Sequence, residues 1–298
     1  MKTLEPVNAL SLKNILLATD FSPGSEMAVK YAQAIAQRHA SRVHTIHVNS
    51  PNSYNLLDPE AFAVTFNGPE ANSRNVADVL HGLLQGLPSQ TPLQQGAVWQ
   101  VIRDVVERNE IDLLVLASHG RHGIPRLVLG SVAEEVFRNV SCPVLTVGPD
   151  VKPCHSRELK IKKVLLATHF EVGSTAPSHA ALLCNEFGAE LTVLHVADEN
   201  KLPESGENGK ELAQRLSSAV PPEACLWRKP VCVVQYGLPS ANILEVAQQM
   251  RADLIVLGAR HPEPAKINSH LPWATAARVI AEARCPVLTV RQKDSYEL

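Results

Sequence analysis

The chain is one unit written twice, and this duplication limits its fold more than any other feature. "NILLATDF" (14–21) returns as "KVLLATHF" (163–170), and "HTIHVNS" (44–50) returns as "TVLHVAD" (192–198). "IDLLVLASHG" (111–120) returns as "ADLIVLGARH" (252–261), and "SCPVLTV" (141–147) returns as "RCPVLTV" (284–290). Order and spacing are kept, so the chain is a tandem repeat of a unit of about 140 residues. The joint falls in the polar stretch "GPDVKPCHSRELK" (148–160), which holds two prolines. The expected domains are therefore residues 1–150 and 151–298, as a length of 298 residues also suggests.

Each unit alternates strand and helix patterns. "NILLAT" is a continuous apolar run of strand length. The next segment carries Met27, Tyr31 and Ile35 at four-residue steps, a helical stripe. "RVHTIHV" reads as a strand, and Val76, Leu80, Leu83, Leu84 and Leu87 share a helical face. A weak strand near "LQQGA", a helix over "VIRDVVERN", the strand "DLLVLAS", the helix "SVAEEVFRNV" and the strand "PVLTVG" complete the first unit. Strands apolar along their whole length are buried on both faces, as a parallel sheet between helices requires. The expected fold is α/β: two tandem, doubly wound, Rossmann-like domains, each a five-stranded parallel sheet. The closing "PVLTV" strands are apolar and last in their units, so they are expected sheet edges, and a bare apolar edge invites pairing with another chain.

Composition narrows the function. Hydrophobic residues make up 45% and aromatic residues 4%, so the cores are aliphatic. A formal net charge of −2 gives no basic excess for nucleic acid and no basic tail for a membrane surface. No run of about 20 apolar residues occurs, and the N-terminal residues lack a signal-peptide core, so a cytoplasmic protein is expected. Cys142, Cys154, Cys184, Cys225, Cys232 and Cys285 form no C-x-x-C, which leaves no zinc or redox motif. "GENGKE" (206–211) lacks the leading glycine and the Ser/Thr of a P-loop. His44 and His47 lie three apart on a strand and point to opposite faces.

Ligands of doubly wound sheets sit beyond the C-terminal strand edges, where strand order reverses. In the first unit those edges are "ATDFS", "HVNS" and "ASHG", so Asp20, Val48 and the 117–131 loop converge. Asp20 is an acceptor suited to a ribose hydroxyl or a base amine. Backbone groups around Val48 suit an adenine edge. Gly130-Ser131 opens a helix whose unpaired N–H groups and dipole suit phosphate. Ser131 to Glu134 is equally a capping box, which needs no ligand. His119 and His122 flank Gly120, within reach of a phosphate or solvated.

On these motifs the whole chain resembles a tandem universal stress protein of the UspA family. The nucleotide-binding branch of that family carries Gly-x2-Gly-x9-Gly-Ser/Thr after its fourth strand. The match here is Ala117-x2-Gly120-x9-Gly130-Ser131, with Ala in place of the first glycine. The resemblance implies an adenine nucleotide alpha hydrolase-like fold. It implies ATP or AMP held by Ala18, Asp20, Val48, Ala117, Gly120, Gly130 and Ser131, with Mg or Mn at the phosphates. It also implies internal antiparallel pairing of the two closing strands, which would bring Val144, Thr146, Val287 and Thr289 near a pseudo-two-fold axis, with a homodimer as a further option. The second unit departs from the motif. His169 stands for Asp20, His261 for Gly120, and Trp273 and Ala274 for Gly130 and Ser131. It is expected to be a degenerate structural partner. The expected role is a stress-response regulator switched by nucleotide. A slow metal-dependent ATP hydrolase and an interaction module without nucleotide are the alternatives.

Overall fold

The computed structural model describes residues 12–19, 23–49, 89–90, 93–95, 97–118, 131–151, 159–170, 174–197, 209–220, 228–259 and 271–291. In the first unit these hold strands β1 (Asn14–Ala18), β2 (Arg42–Asn49), β3 (Ser89–Gln90), β4 (Leu93–Gln95), β5 (Leu113–Ala117) and β6 (Val144–Val147). The helices there are α1 (Pro23–His39), α2 (Val98–Arg108) and α3 (Ser131–Asn139). The second unit holds strands β7 (Lys163–Ala167), β8 (Glu190–Ala197), β9 (Val231–Tyr236), β10 (Leu254–Ala259) and β11 (Val287–Arg291). Its helices are α4 (Ala176–Phe187), α5 (Gly209–Ala219), α6 (Pro239–Met250) and α7 (Leu271–Glu282). The expected helix over residues 76–87 lies outside the described residues. The weak third strand of the first unit is split into β3 and β4, both paired with β2.

The apolar runs form strands because both of their faces are covered. Ile15, Leu16 and Leu17 of β1 are fully buried. Ile15 and Leu17 join one core and Leu16 the other. The same alternation holds in β7, where Val164 and Leu166 face one core and Leu165 the opposite one. The first core lies under α1, α4 and α5, the second under α2, α3, α6 and α7, and each continues through both units.

All strands join one sheet, in the order β3-β2-β1-β5-β6-β11-β10-β7-β8-β9, with β4 also on β2. Neighbours are parallel except at one joint, where β6 and β11 run antiparallel. There Thr146 lies opposite Val287, Leu145 opposite Leu288 and Val144 opposite Thr289, with the Thr289 hydroxyl donating to the Val144 carbonyl at 3.3 Å. The two units thus close each other's exposed edge, as the apolar closing strands lead one to expect. The C-terminal ends of α1 and α4 also meet. Arg38 Nε donates to Glu186 Oε1 at 2.8 Å, His39 approaches the same oxygen at 2.9 Å, and the Arg38 guanidinium covers the Phe187 ring at 4.2 Å. Glu186 is partly desolvated, which raises its pKa, but the hydrogen bonds and charges of His39 and Arg38 outweigh that and hold it low.

A second duplicated device fixes the strand starts. Asp112 Oδ2 accepts from the backbone amides of Lys13 and Asn14 at 2.7 and 2.8 Å. Asp253 Oδ2 repeats this with Lys162 and Lys163 at 2.8 and 3.0 Å. Each aspartate therefore pins the first strand of its unit beside the fourth.

Val144 is 3% exposed at the joint. Val144→Asp buries a charge with no partner and is expected to remove roughly 3 kcal/mol or more of stability. Because the cores are continuous, both units are expected to melt together at a lower temperature. A melt in which only one unit is lost, followed by probes in each half, contradicts this.

Candidate functional site

In the first unit the strand order reverses between β1 and β5. β1 pairs with β2 on one side and with β5 on the other, all parallel. Three neighbouring strands, β2-β1-β5, therefore end at the same edge, carrying Val48, Ala18 and Ala117. This is the switch point at which such sheets receive ligands. Just past β1, the Thr19 amide donates to Ile46 O at 3.1 Å, and Thr19 Oγ1 meets Ser25 Oγ, in the first turn of α1, at 3.0 Å. The base of the segment bearing Asp20 is thus clamped between β2 and α1. Just past β5, Ser118 is buried and its amide donates to Val147 O at 3.0 Å. Val48 lies opposite Gln94 in β4. Ser131 is the first residue of α3, with Glu134 in the same turn. Ala18, Val48 and Ala117 share one sheet edge. Asp20, Gly120, Gly130, His119 and His122 lie outside the described residues, as do the side chains of Val48 and Ser131.

The equivalent edge of the second unit is built differently. Thr168 repeats the backbone bond of Thr19, its amide donating to Leu194 O at 2.9 Å. Beyond it, however, Phe170 adopts a left-handed φ of 56° and donates its amide to Thr168 Oγ1 at 3.3 Å. Such a φ is costly for an aromatic residue and holds only where its surroundings fix it. They do so here with a stack of rings. The Phe170 ring lies 4.3 Å from the His195 ring, His169 stacks on the same His195 ring at 5.5 Å, and the Arg215 guanidinium sits 4.6 Å from the Phe170 centroid. His195 Nδ1 donates to the Thr168 carbonyl at 3.0 Å, since a carbonyl can only accept; its other ring nitrogen is then bare while the ring is neutral. Burial lowers the His195 pKa; the Thr168 bond opposes this, while the charges of His169 and Arg215 add to the lowering.

Two more differences separate the units. Gly258, the counterpart of Ala117, is packed more tightly: a Cβ there would lie 3.2 Å from Ser174 Oγ, which would have to give by a few tenths of an ångström. Helix α7 begins at Leu271, three residues before Ala274, the counterpart of Ser131. Pro272 in its first turn accounts for the early start, since the ring pre-sets helical φ where the N–H has no intrahelical partner. The helix N-terminus of the second unit is therefore shifted by most of a turn. Trp273 opens this helix too, with its side chain outside the described residues.

The ring stack around His195 and the paired aspartates are features that motif reading missed. The aspartates left a signal, recurring at the same place in "DLLVL" and "DLIVL". The stack left none, because Arg215 and His195 are brought to Phe170 only by the fold. His44, read from the sequence simply as a strand residue, is buried, its Nε2 3.5 Å from Asn14 Oδ1, and burial with the nearby Arg42 lowers its pKa.

Both His44 and His195 have pKa values depressed below the ordinary 6.5. The unfolded chain therefore takes up protons at a higher pH than the folded one. Stability is full above about pH 6.5 and falls as the pH drops below it. Denaturant midpoints across this range are expected to show that slope, reduced in His195→Gln. A slope unchanged by that substitution contradicts the assignment.

Comparison with known proteins agrees with this architecture. A family model described as the universal stress protein family matches residues 11–148 and again residues 160–291. Universal stress protein MJ0531 of Methanocaldococcus jannaschii is 31% identical over 143 residues, which span 45% of this chain and 81% of that protein. Universal stress protein A homolog 1 of Coxiella burnetii is 28% identical over 142 residues, 45% of this chain and 95% of that one. The crystal structure of a universal stress protein from Archaeoglobus fulgidus covers 96% of this chain and 98% of its own, with a TM-score of 0.71 at 18% identity, a likeness of fold. With the family's unit matched twice in succession, the chain belongs to the universal stress protein family as a tandem member.

Proposed function

We propose that the first unit binds an adenine nucleotide, ATP or AMP, and that the second unit binds none and serves as its structural partner. The observation that carries this reading is the edge formed by β2, β1 and β5. There Ala18 and Ala117 end adjacent strands, and the loop leading from Ala117 to α3 keeps Gly120, Gly130 and Ser131 of the family's phosphate-binding pattern. Small residues at both strand ends leave the backbone open to a ligand. Asp20 would accept a hydrogen bond from the ribose or the base, and the backbone around Val48 would read the adenine edge. The N–H groups at Gly130 and Ser131, at the positive end of α3, would face the phosphates.

The contrast with the second unit supports the asymmetry. His169 replaces the acceptor, and Phe170 and His195 bring rings to the edge where adenosine would lie. The helix start is displaced. Mg or Mn enters this reading as the counter-ion of the phosphates. The role is regulatory and cytoplasmic: bound nucleotide changes the conformation of the first unit, or the partners it accepts, under stress. The phosphate-binding pattern of Gly120, Gly130 and Ser131 itself holds no general base, which ranks the switch above the hydrolase.

Gly130→Val tests the site. A branched side chain at that position would occupy phosphate space and crowd the entry to α3. The variant is expected to lose detectable ATP binding in equilibrium dialysis while keeping a cooperative melt. Binding at wild-type affinity shows instead that residues 117–131 are a turn and no more. Turnover of ATP by the wild type with Mg²⁺ or Mn²⁺ would favour the hydrolase.

A further inference from the structure

The geometry points to Arg291, in the second unit, as a positioning residue for the nucleotide site of the first. This rests on the proposed function above. Arg291 is the last residue of β11 and lies opposite Ala259 of β10. Its side chain crosses the joint between the units: Nη1 donates to the carbonyl of Val140 at 2.9 Å. Val140 follows the last residue of α3 and closes that helix, its amide donating to Val136 O at 2.9 Å. The residue is 1% exposed. Its carbonyl is one of the acceptors that a helix C-terminus leaves without an intrahelical partner. One turn back, inside the helix, Glu135 O also accepts from Asn139 Nδ2 at 2.7 Å.

The helix capped in this way is the one whose other end starts at Ser131. A cation at a helix C-terminus is favourable in the same field that favours an anion at the N-terminus. The guanidinium also fixes where the far end of α3 rests, and so where its N–H groups point. The main chain on the other side of Arg291 is held as well, for its carbonyl accepts from Thr175 Oγ1, just before α4, at 3.4 Å. Arg291 thus links the start of α4 in one unit to the end of α3 in the other.

The pseudo-two-fold partner of this contact shows that the arginine is particular to one direction. Gly148 is the counterpart of Arg291, and Ala283 that of Val140, in the aligned "CPVLTV" segments. A Cβ on Gly148 would lie 3.4 Å from the Ala283 carbonyl and 3.6 Å from that of Ile280. Gly148 has no side chain to reach the end of α7, so it cannot repeat the contact. The helix that receives an arginine from the closing strand of the other unit is α3, which follows the intact loop motif. Helix α7, which follows the degenerate loop, faces the glycine. The second unit is thus retained for more than covering an edge: it supplies the group that seats the phosphate-facing helix.

Full-length wild type, Arg291→Ala, Arg291→Lys and Arg278→Ala are compared. Arg278 is an exposed cation on α7 paired with Glu282, remote from this contact, and serves as the control. ATP affinity is read by calorimetry well below the melting temperature, and amide exchange of residues 131–140 is read without nucleotide. Arg291→Ala is expected to raise the Kd roughly fivefold or more, in the range usual for coupled sites, and to speed exchange in α3. Arg291→Lys, which can still donate to the carbonyl, is expected to recover most of both, and Arg278→Ala to change neither. Wild-type affinity in a folded Arg291→Ala overturns the inference, whatever its melting temperature. So does an Arg291→Lys as weak as the alanine variant. If the wild type binds no ATP, the nucleotide reading fails by itself. The anchoring of α3 by Arg291 is then decided by exchange: faster in Arg291→Ala upholds it, unchanged overturns it.

Discussion

The antiparallel pairing of β6 with β11 is the contact on which the rest of the molecule depends. Without it each unit would expose an apolar strand of unpaired N–H and C=O groups, Val144–Val147 in one and Val287–Arg291 in the other. With it, two half-sheets become one and both helical layers run across the joint. Leu145 and Leu288 pair and fall into the same core, while Val144 and Val287, each opposite a threonine, both face the other core. The Arg38–Glu186 contact between α1 and α4 and the Arg291–Val140 contact between β11 and α3 follow from that pairing, since it sets these elements side by side.

This gives a physical reason for keeping a second unit that has lost the family's binding pattern. On the proposed reading, an edge that holds no ligand is free to fill. Phe170 could take a left-handed φ, His195 could bury a neutral ring, and the rings could stack under Arg215. None of this disturbs β11, which still has to pair with β6. On that reading the second unit must keep the joint, while its own strand ends serve as packing.

Much of the fold was legible because strands buried on both faces must be apolar throughout. "NILLA", "LLVLA", "KVLLA" and "LIVLGA" carry that pattern, and the repeated order then fixed their arrangement. The polar "SQ" and "LQQ" carry almost none, so the third strand of the first unit was seen only weakly and its division into two was not. At the site, the positions of Ala18, Val48 and Ala117 at one edge, and of Ser131 at a helix start, were legible. The refilling of the second edge was half legible: His169 stands in the sequence, but its partners His195 and Arg215 lie far along the chain. Arg291 was invisible to motif reading, since a single arginine at a strand end has meaning only once the α3 terminus is beside it.

The central claim is an asymmetry: one site for nucleotide in a molecule built of two like halves. Native mass spectrometry of the purified chain, titrated with ATP, measures it most directly. The account predicts one nucleotide per chain at saturation, with the second never filled. Two nucleotides per chain would contradict the degenerate reading of the second unit, and none would contradict the nucleotide site of the first.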